Sequence, residues 1–184
     1  MNFLFININH DVGYASSESI PISMGYIMAT LKQQGNRGVI IDDLRDRPLT
    51  LKNLEKWIQR INPAVIGFSA YQSTMTRIRF LCRYIKSRHR KIHIVLGGPQ
   101  AVLMPSRALE ELEDVDVLVR GEGEVVMPLI ARILDSGGDM KDVEGITCRC
   151  ENRIIDNGDG PTPPEDLDAY PSPYLKGSLN LEGK

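Results

Sequence analysis

Apolar and polar positions alternate between two periods along this chain. Phe3 to Ile8 is a continuous apolar run, read as a central strand covered on both faces. A polar loop follows through Ser16, Ser17, Glu18 and Ser19, and a helix begins near Pro21. Its inward stripe is Met24, Ile27, Met28 and Leu31, spaced i, i+3, i+4 and i+7, and Gly35 closes it. Gly38 to Asp42 predicts a second strand. Thr50 caps a second helix with Leu51, Leu54, Ile58 and Ile61 inward, ended by Asn62-Pro63. Ala64 to Phe68 predicts a third strand, and Met75, Ile78, Leu81, Cys82 and Ile85 the stripe of a third helix. Ile92 to Leu96 is a fourth strand, Pro105 to Leu112 a short helix, Val115 to Val119 a fifth strand, and Val125 to Leu134 a fifth helix.

Strands alternating with helices at this pace predict an α/β domain with a parallel sheet. Right-handed crossovers put every strand's carboxyl end on one edge, where ligands bind in open α/β sheets. After Gly137-Gly138 the rhythm changes: Gly145 to Arg149 and Arg153 to Ile155 read as a small β-hairpin. From Gly158 onward prolines crowd in (Pro161, Pro163, Pro164, Pro171, Pro173), and the segment reads as an extended linker. The expected organisation is an α/β domain over 1–140, an appended hairpin over 141–157 and a Pro-rich linker over 158–184.

Composition narrows the function classes. The 184 residues carry a net charge of −2, so no global field draws the protein to nucleic acid or an anionic membrane. No apolar run reaches the roughly 20 residues that span a bilayer. Three cysteines (Cys82, Cys148, Cys150) are too few for a disulfide framework and point to a reducing, cytoplasmic setting. Cys148-x-Cys150 lacks the spacing and the second pair of a zinc site. The basic run Arg77, Arg79, Arg83, Lys86, Arg88, Arg90 and Lys91 has little aromatic interleaving and reads as a solvated helix face or a dock for a partner domain.

The candidate chemistry sits at the strand ends. Strand three stops at Ser69, followed by Tyr71 and Gln72; strand four stops at Gly97-Gly98-Pro99-Gln100; strand five stops at Arg120-Gly121-Glu122-Gly123-Glu124. Neighbouring loops therefore offer a hydroxyl and two stretches of bare backbone, a groove suited to a long, thin, partly polar ligand arm. A Gly-x-Gly-x-x-Gly dinucleotide fingerprint and a P-loop are both absent. The paired acids, aspartate and lysine of a phosphate-accepting receiver are replaced by Asn9-His10, Ser69 and Arg120. Glu122 and Glu124 read as acids complementing a helix start.

These pieces together resemble the cobalamin (B12)-binding domain found in front of radical SAM enzymes, including the magnesium-protoporphyrin monomethyl ester cyclase-like group. The resemblance covers roughly residues 1 to 175. It rests on Pro21-x-x-x-Gly25, Val65-Ile66-Gly67-Phe68-Ser69, Val95-Leu96-Gly97-Gly98-Pro99, Val119-Arg120-Gly121-Glu122-Gly123-Glu124, Gly145-Ile146 and Leu167-Asp168-x-x-Pro171-Ser172-Pro173-Tyr174, in that order and spacing. It implies a flavodoxin-like (Rossmann-like) five-stranded sheet in the order 2-1-3-4-5, with the corrin over the strand ends. The cofactor's nucleotide tail would descend past Ser69 and Gly97-Gly98, where a side chain at either glycine would occupy its path. Tyr71, Gln72, Pro99 and Gln100 would flank the entrance, and Gly121, Glu122 and Gly123 would form the rim.

Some B12 carriers place Asp-x-His-x-x-Gly after strand one, with the histidine on cobalt. Here Ile8 stands in the aspartate's place, and His10 with Gly13 keeps the other half, making His10 a candidate cobalt ligand. The resemblance also implies a radical SAM domain C-terminal to residue 184, supplying S-adenosylmethionine and a [4Fe-4S] cluster for methyl transfer or cyclase-type chemistry. The cluster motif Cys-x-x-x-Cys-x-x-Cys is absent from this sequence. By itself this stretch is expected to have no turnover. Two other readings stay open at this point: a cofactor-free interaction domain of the same fold, and a flavin-type binding module.

Overall fold

The computed structural model describes residues 1–9, 21–44, 48–151 and 153–179. Strand β1 (Asn2–Ile8) lies inside the sheet, paired in parallel with β2 (Arg37–Asp43) on one side and β3 (Val65–Ser69) on the other. Strands β4 (His93–Gly97) and β5 (Val117–Val119) continue the parallel set. The order 2-1-3-4-5 matches the expectation, but the sheet does not stop at five strands. The hairpin strands β6 (Ile146–Cys150) and β7 (Arg153–Asp156) add antiparallel to β5, giving one seven-stranded sheet, β2-β1-β3-β4-β5-β6-β7. Val117, Leu118 and Val119 pair with Cys148, Thr147 and Ile146, so the hairpin covers what would be an open edge of β5.

Period-2 alternation assigns the two faces of β1. Phe3 and Phe5 point to one side, and Leu4, Ile6 and Ile8 to the other. Over the Phe face lie α1 (Ile22–Gln33) and α6 (Gly123–Ser136), through Met24, Met28, Leu31, Val126, Met127 and Ile130. Over the Leu/Ile face lie α2 (Leu51–Ile61) and α3 (Met75–Arg88), through Leu54, Ile58, Ile78, Leu81, Cys82 and Ile85. The result is a three-layer α/β sandwich with a core on each face of the sheet. At about 25 cal/mol per Å², burying a Leu or Ile from either stripe contributes roughly 2 kcal/mol.

Local chemistry fixes the ends. Thr50 Oγ1 accepts from the Asn53 amide at 3.2 Å, capping α2 as expected. Asn62 ends the same helix in the left-handed conformation (φ 47°), with its amide donating to Ile58 O at 2.8 Å. Between β4 and β5 the expected single helix over 105–112 is instead two short ones. Helix α4 (Pro99–Leu103) starts directly after Gly98, with Pro99 in its first turn, and α5 is reduced to Ala108–Glu111.

The basic stripe of α3 is largely matched by acids. Arg77 Nε binds Asp43 Oδ2 at 2.6 Å, Lys86 Nζ binds Asp116 Oδ2 at 2.6 Å, and Arg83 faces Asp114 at 3.9 Å. Arg77 also donates to Leu49 O at 2.6 Å, while Asp43 Oδ1 accepts from the Leu49 amide at 2.7 Å. Arg77 and Lys86 therefore tie this helix to the end of β2 and to the residue just before β5.

Candidate functional site

At the carboxyl edge of the sheet, on the Phe face, lies a cavity of about 680 Å³. Its floor is strand backbone and apolar side chains: Phe5, Gly67, Val95, Gly97 and Val119. The register explains the row, since Phe5, Gly67, Val95 and Val117 are neighbours across four strands and Ser69 stands beside Gly97 one step higher. Helix α1 supplies one wall through Ser23, Met24 and Ile27, and α4 another through Pro99 and Val102. Gly121 to Glu124 with Met127 make the third wall, and Asp159 to Pro163 the fourth.

The two glycines at the end of β4 have different jobs. A Cβ built on Gly97 would find only Val119 Cβ, at 3.9 Å, so this residue faces open space in the groove. Gly98 has φ +87°, and a Cβ there would lie 2.8 Å from Ser69 Oγ and 3.0 Å from the Ala70 amide nitrogen. A side chain at Gly97 would thus enter open groove, whereas one at Gly98 would first meet its own neighbours. Gly98 is required first by its own turn, which lets α4 begin within one residue of the strand.

Of the residues singled out from sequence, Ser69, Gly97, Gly98, Pro99, Gly121, Glu122 and Gly123 line the cavity. Tyr71, Gln72 and Gln100 do not. Tyr71 precedes a 3-10 turn over Gln72–Thr74, its amide donating to Thr74 Oγ1 at 3.1 Å. Gln100 lies in the first turn of α4, its amide donating to Ala70 O at 3.0 Å. His10 lies outside the described residues. Sequence reasoning missed Phe5, Gly67, Val95, Val119, the α1 wall and the whole 159–163 wall. A glycine within the β3 pattern was the available signal for Gly67 and its neighbour Phe5.

Arg120, at the end of β5, braces the α4 wall. Its Nη1 donates to Ala101 O at 2.7 Å and to Val102 O at 3.3 Å, and also to Met104 O. Its Nε donates to Thr147 Oγ1 at 2.8 Å on β6. One guanidinium thus gathers the carbonyls at the carboxyl end of α4, where Ala101 O otherwise accepts only a long bond from the Met104 amide, at 3.4 Å. Glu124, in the first turn of α6, lines the cavity; burial pushes its carboxyl above the usual range, and neighbouring Glu122 pushes the same way. The Tyr170 hydroxyl is buried nearby, raised by the same burial and by both glutamates. Among the described residues no group of three or more His, Cys, Asp or Glu side chains is arranged to hold a metal ion.

The groove is thus lined mainly by apolar side chains and glycine backbone, with Glu122, Glu124 and Asp159 as its carboxylates. Its volume is in the range of small-molecule and cofactor sites. The family described as the B12 binding domain matches residues 11–131, which include β3, β4, β5 and most of α6. The chain belongs to the B12-binding domain family.

This B12-binding domain is similar to part of several larger proteins. The anaerobic magnesium-protoporphyrin IX monomethyl ester cyclase of Rubrivivax gelatinosus is 29% identical over 173 residues, covering 91% of this chain and 31% of that protein. The cobalamin-dependent radical SAM methyltransferase TokK of Streptomyces tokunonensis is 27% identical over 171 residues, covering 92% of this chain and 25% of that protein. Among solved structures, the radical S-adenosylmethionine methyltransferase TsrM of Kitasatospora setae, with cobalamin and a [4Fe-4S] cluster bound, superposes with a TM-score of 0.70. That likeness, at 16% identity over 86% of this chain and 29% of that one, is one of fold. The B12-binding domain spans about a quarter to a third of the length of these curated relatives.

Proposed function

We propose that the groove receives the nucleotide tail of cobalamin, with the corrin lying across the carboxyl edge of the sheet. The observation that carries this reading is Gly97, whose missing side chain leaves open space on the groove floor. A flat base suits the apolar surfaces of Phe5, Val95, Val119 and Met127, and a ribose-phosphate linker suits the Ser69 hydroxyl and the backbone of Gly98 and Gly121. Glu122, at the rim, and Gly123, whose Cβ position is taken by Ile27 at 2.6 Å, shape the opening on the α6 side. Cobalamin bound here would supply a cobalt-carried methyl group or one-electron chemistry; this chain's residues would hold it and keep water from its tail.

The wider role also belongs to this proposal. The domain serves a radical SAM domain in the same polypeptide, which carries S-adenosylmethionine and a [4Fe-4S] cluster and performs methyl transfer or cyclase-type chemistry. The lengths and names of the curated relatives support that arrangement. Three free thiols support a cytoplasmic setting, and no helix among the described residues is long and apolar enough to cross a membrane. A partner acting only through the basic α3 would meet Arg77 and Lys86 already engaged by Asp43 and Asp116, which favours the cofactor reading over an interaction domain.

The test is retention. The purified chain is mixed with hydroxocobalamin, desalted and examined by visible absorbance. A retained corrin spectrum at near-equimolar ratio is the expected result; loss of all corrin on desalting would refute the reading. If corrin is retained, His10→Ala leaves its spectrum unchanged unless His10 ligates cobalt.

A further inference from the structure

The segment after the hairpin has the composition of a linker, yet it is built into the groove. It leaves β7 at Asn157, whose amide donates to Ile146 O at 2.9 Å and whose Nδ2 donates to Lys141 O and Val143 O, both at 2.7 Å. It then presses Gly160 onto the backbone of two other glycines. A Cβ on Gly121 would lie 3.0 Å from Gly160 Cα, and one on Gly145 would lie closer still. Three glycines from three separate parts of the chain therefore meet backbone to backbone, a contact no side chain at Gly121 or Gly145 would allow. Farther on, Leu179 packs where a Cβ of Gly25 would be, 2.8 Å from its Cγ, and Lys32 Nζ donates to Gly177 O at 3.1 Å. The strap is fastened before, within and after its passage over the groove.

Its chemistry suits a wall. Pro161 and Pro163 line the cavity and carry no N–H, so they present apolar surface without an orphan donor. Asp159 and Thr162, which also line it, leave polar groups for the solvent-facing part of a ligand. The segment lies wholly beyond residues 11–131, the part matched by the family. A free linker has no need of a three-glycine seat.

Resting on the cobalamin reading above, we propose that the strap over 158–163 is a specificity wall. It closes the groove around the nucleotide tail, so the domain selects corrinoids that carry a tail over those that lack one. Without it the groove is a cleft with three walls, and a tail in it would keep one side in water. With it, tail surface is buried on both sides, and the gain falls only to a ligand that has a tail. A tail-less corrinoid resting on the sheet edge would be indifferent to the strap.

Gly160→Val tests this in the full chain. Gly160 does not have a left-handed φ, so valine is conformationally allowed, but its Cβ would lie 3.2 Å from both Gly121 Cα and Val126 Cγ2. Lifting the strap relieves that contact while the sheet stays intact. Absorbance titrations with hydroxocobalamin and diaquocobinamide give the two affinities. The unvaried chain is expected to prefer cobalamin by about tenfold or more, and the variant to lose most of that preference through weaker cobalamin binding alone. Hydrogen exchange on the unvaried chain gives a second readout. The amides of Gly158, Asp159, Gly160 and Thr162 should slow with cobalamin and not with cobinamide, whether or not the variant folds. An unchanged preference in a folded variant, or strap amides indifferent to cobalamin, would overturn the strap's role and leave the cobalamin reading standing. Failure of the unvaried chain to bind either corrinoid would overturn both.

Discussion

Phe5 lies with its ring over the bare Cα of Gly67. The two residues are paired across β1 and β3, and a Cβ on Gly67 would sit 2.5 Å from Phe5 Cδ1 and Cε1. The ring is almost fully buried and forms part of the groove floor, so Gly67 sets how deep the floor lies. Gly67→Ala is expected to push the ring upward, destabilising the domain by about 1–3 kcal/mol through overpacking and weakening corrinoid binding. Adding Phe5→Leu to that variant should restore part of both. Urea unfolding and absorbance titration on the single and double variants measure the coupling, and strict additivity would mean that the two residues act independently.

The two glycines of β4 should separate by readout. Gly97→Val places a branched side chain into open groove from a strand that tolerates it, so stability should change by no more than about 1 kcal/mol. Corrinoid retention should fall sharply. Gly98→Val meets a left-handed backbone as well as Ser69 and Ala70, and should destabilise the domain by about 1–3 kcal/mol or more. Thermal melts alongside retention assays distinguish loss of binding from loss of fold.

Arg120→Met removes the donors that hold the last carbonyls of α4 and Thr147. A loss of about 2 kcal/mol in unfolding free energy is expected, because several acceptors lose one charged partner together. Hydrogen exchange should show the loss first at α4 and at the start of β6. Uniform loosening of the sheet would instead assign Arg120 a global role.

Glu124 makes a pH prediction. Its carboxyl is raised above the usual carboxylate range by burial, with Glu122 adding repulsion. A raised folded-state value means that the group's favourable contribution is complete below the unfolded value and is lost as pH rises through the folded one. Glu124→Gln should therefore raise the melting temperature at pH 8 while changing little near pH 4. A variant with the same pH profile as the unvaried chain would show that the carboxylate is well solvated in the fold.

Much of this arrangement is legible in the sequence, for a physical reason. Period-2 and period-3.6 patterns record which way each side chain faces, so the five parallel strands, the α1 stripe and the α3 stripe follow from the order of residues alone. Glycines at strand ends mark the groove because only backbone demands explain them. Patterns of this kind do not record distant partners. Ile146, Thr147 and Cys148 look the same whether their hairpin stands apart or pairs with Val119, Leu118 and Val117, as it does. The 158–163 segment has no apolar period at all, so nothing local distinguishes a free linker from a wall seated on Gly121 and Gly145. Tyr71 and Gln100 lie close in sequence to Ser69 and Pro99 without lining the cavity, Tyr71 leading into the turn over 72–74 and Gln100 lying in the first turn of α4.

The hairpin that seals β5 also bears on how the protein behaves in a crowd. An uncovered parallel strand offers its free amides and carbonyls to any neighbouring chain. Here the sheet ends instead on β7, four residues long with exposed Arg153 and Asp156 at its two ends. So short and charged a margin is a poor template for another strand. On that side, strand-to-strand pairing between molecules of this protein should stay weak even at high concentration.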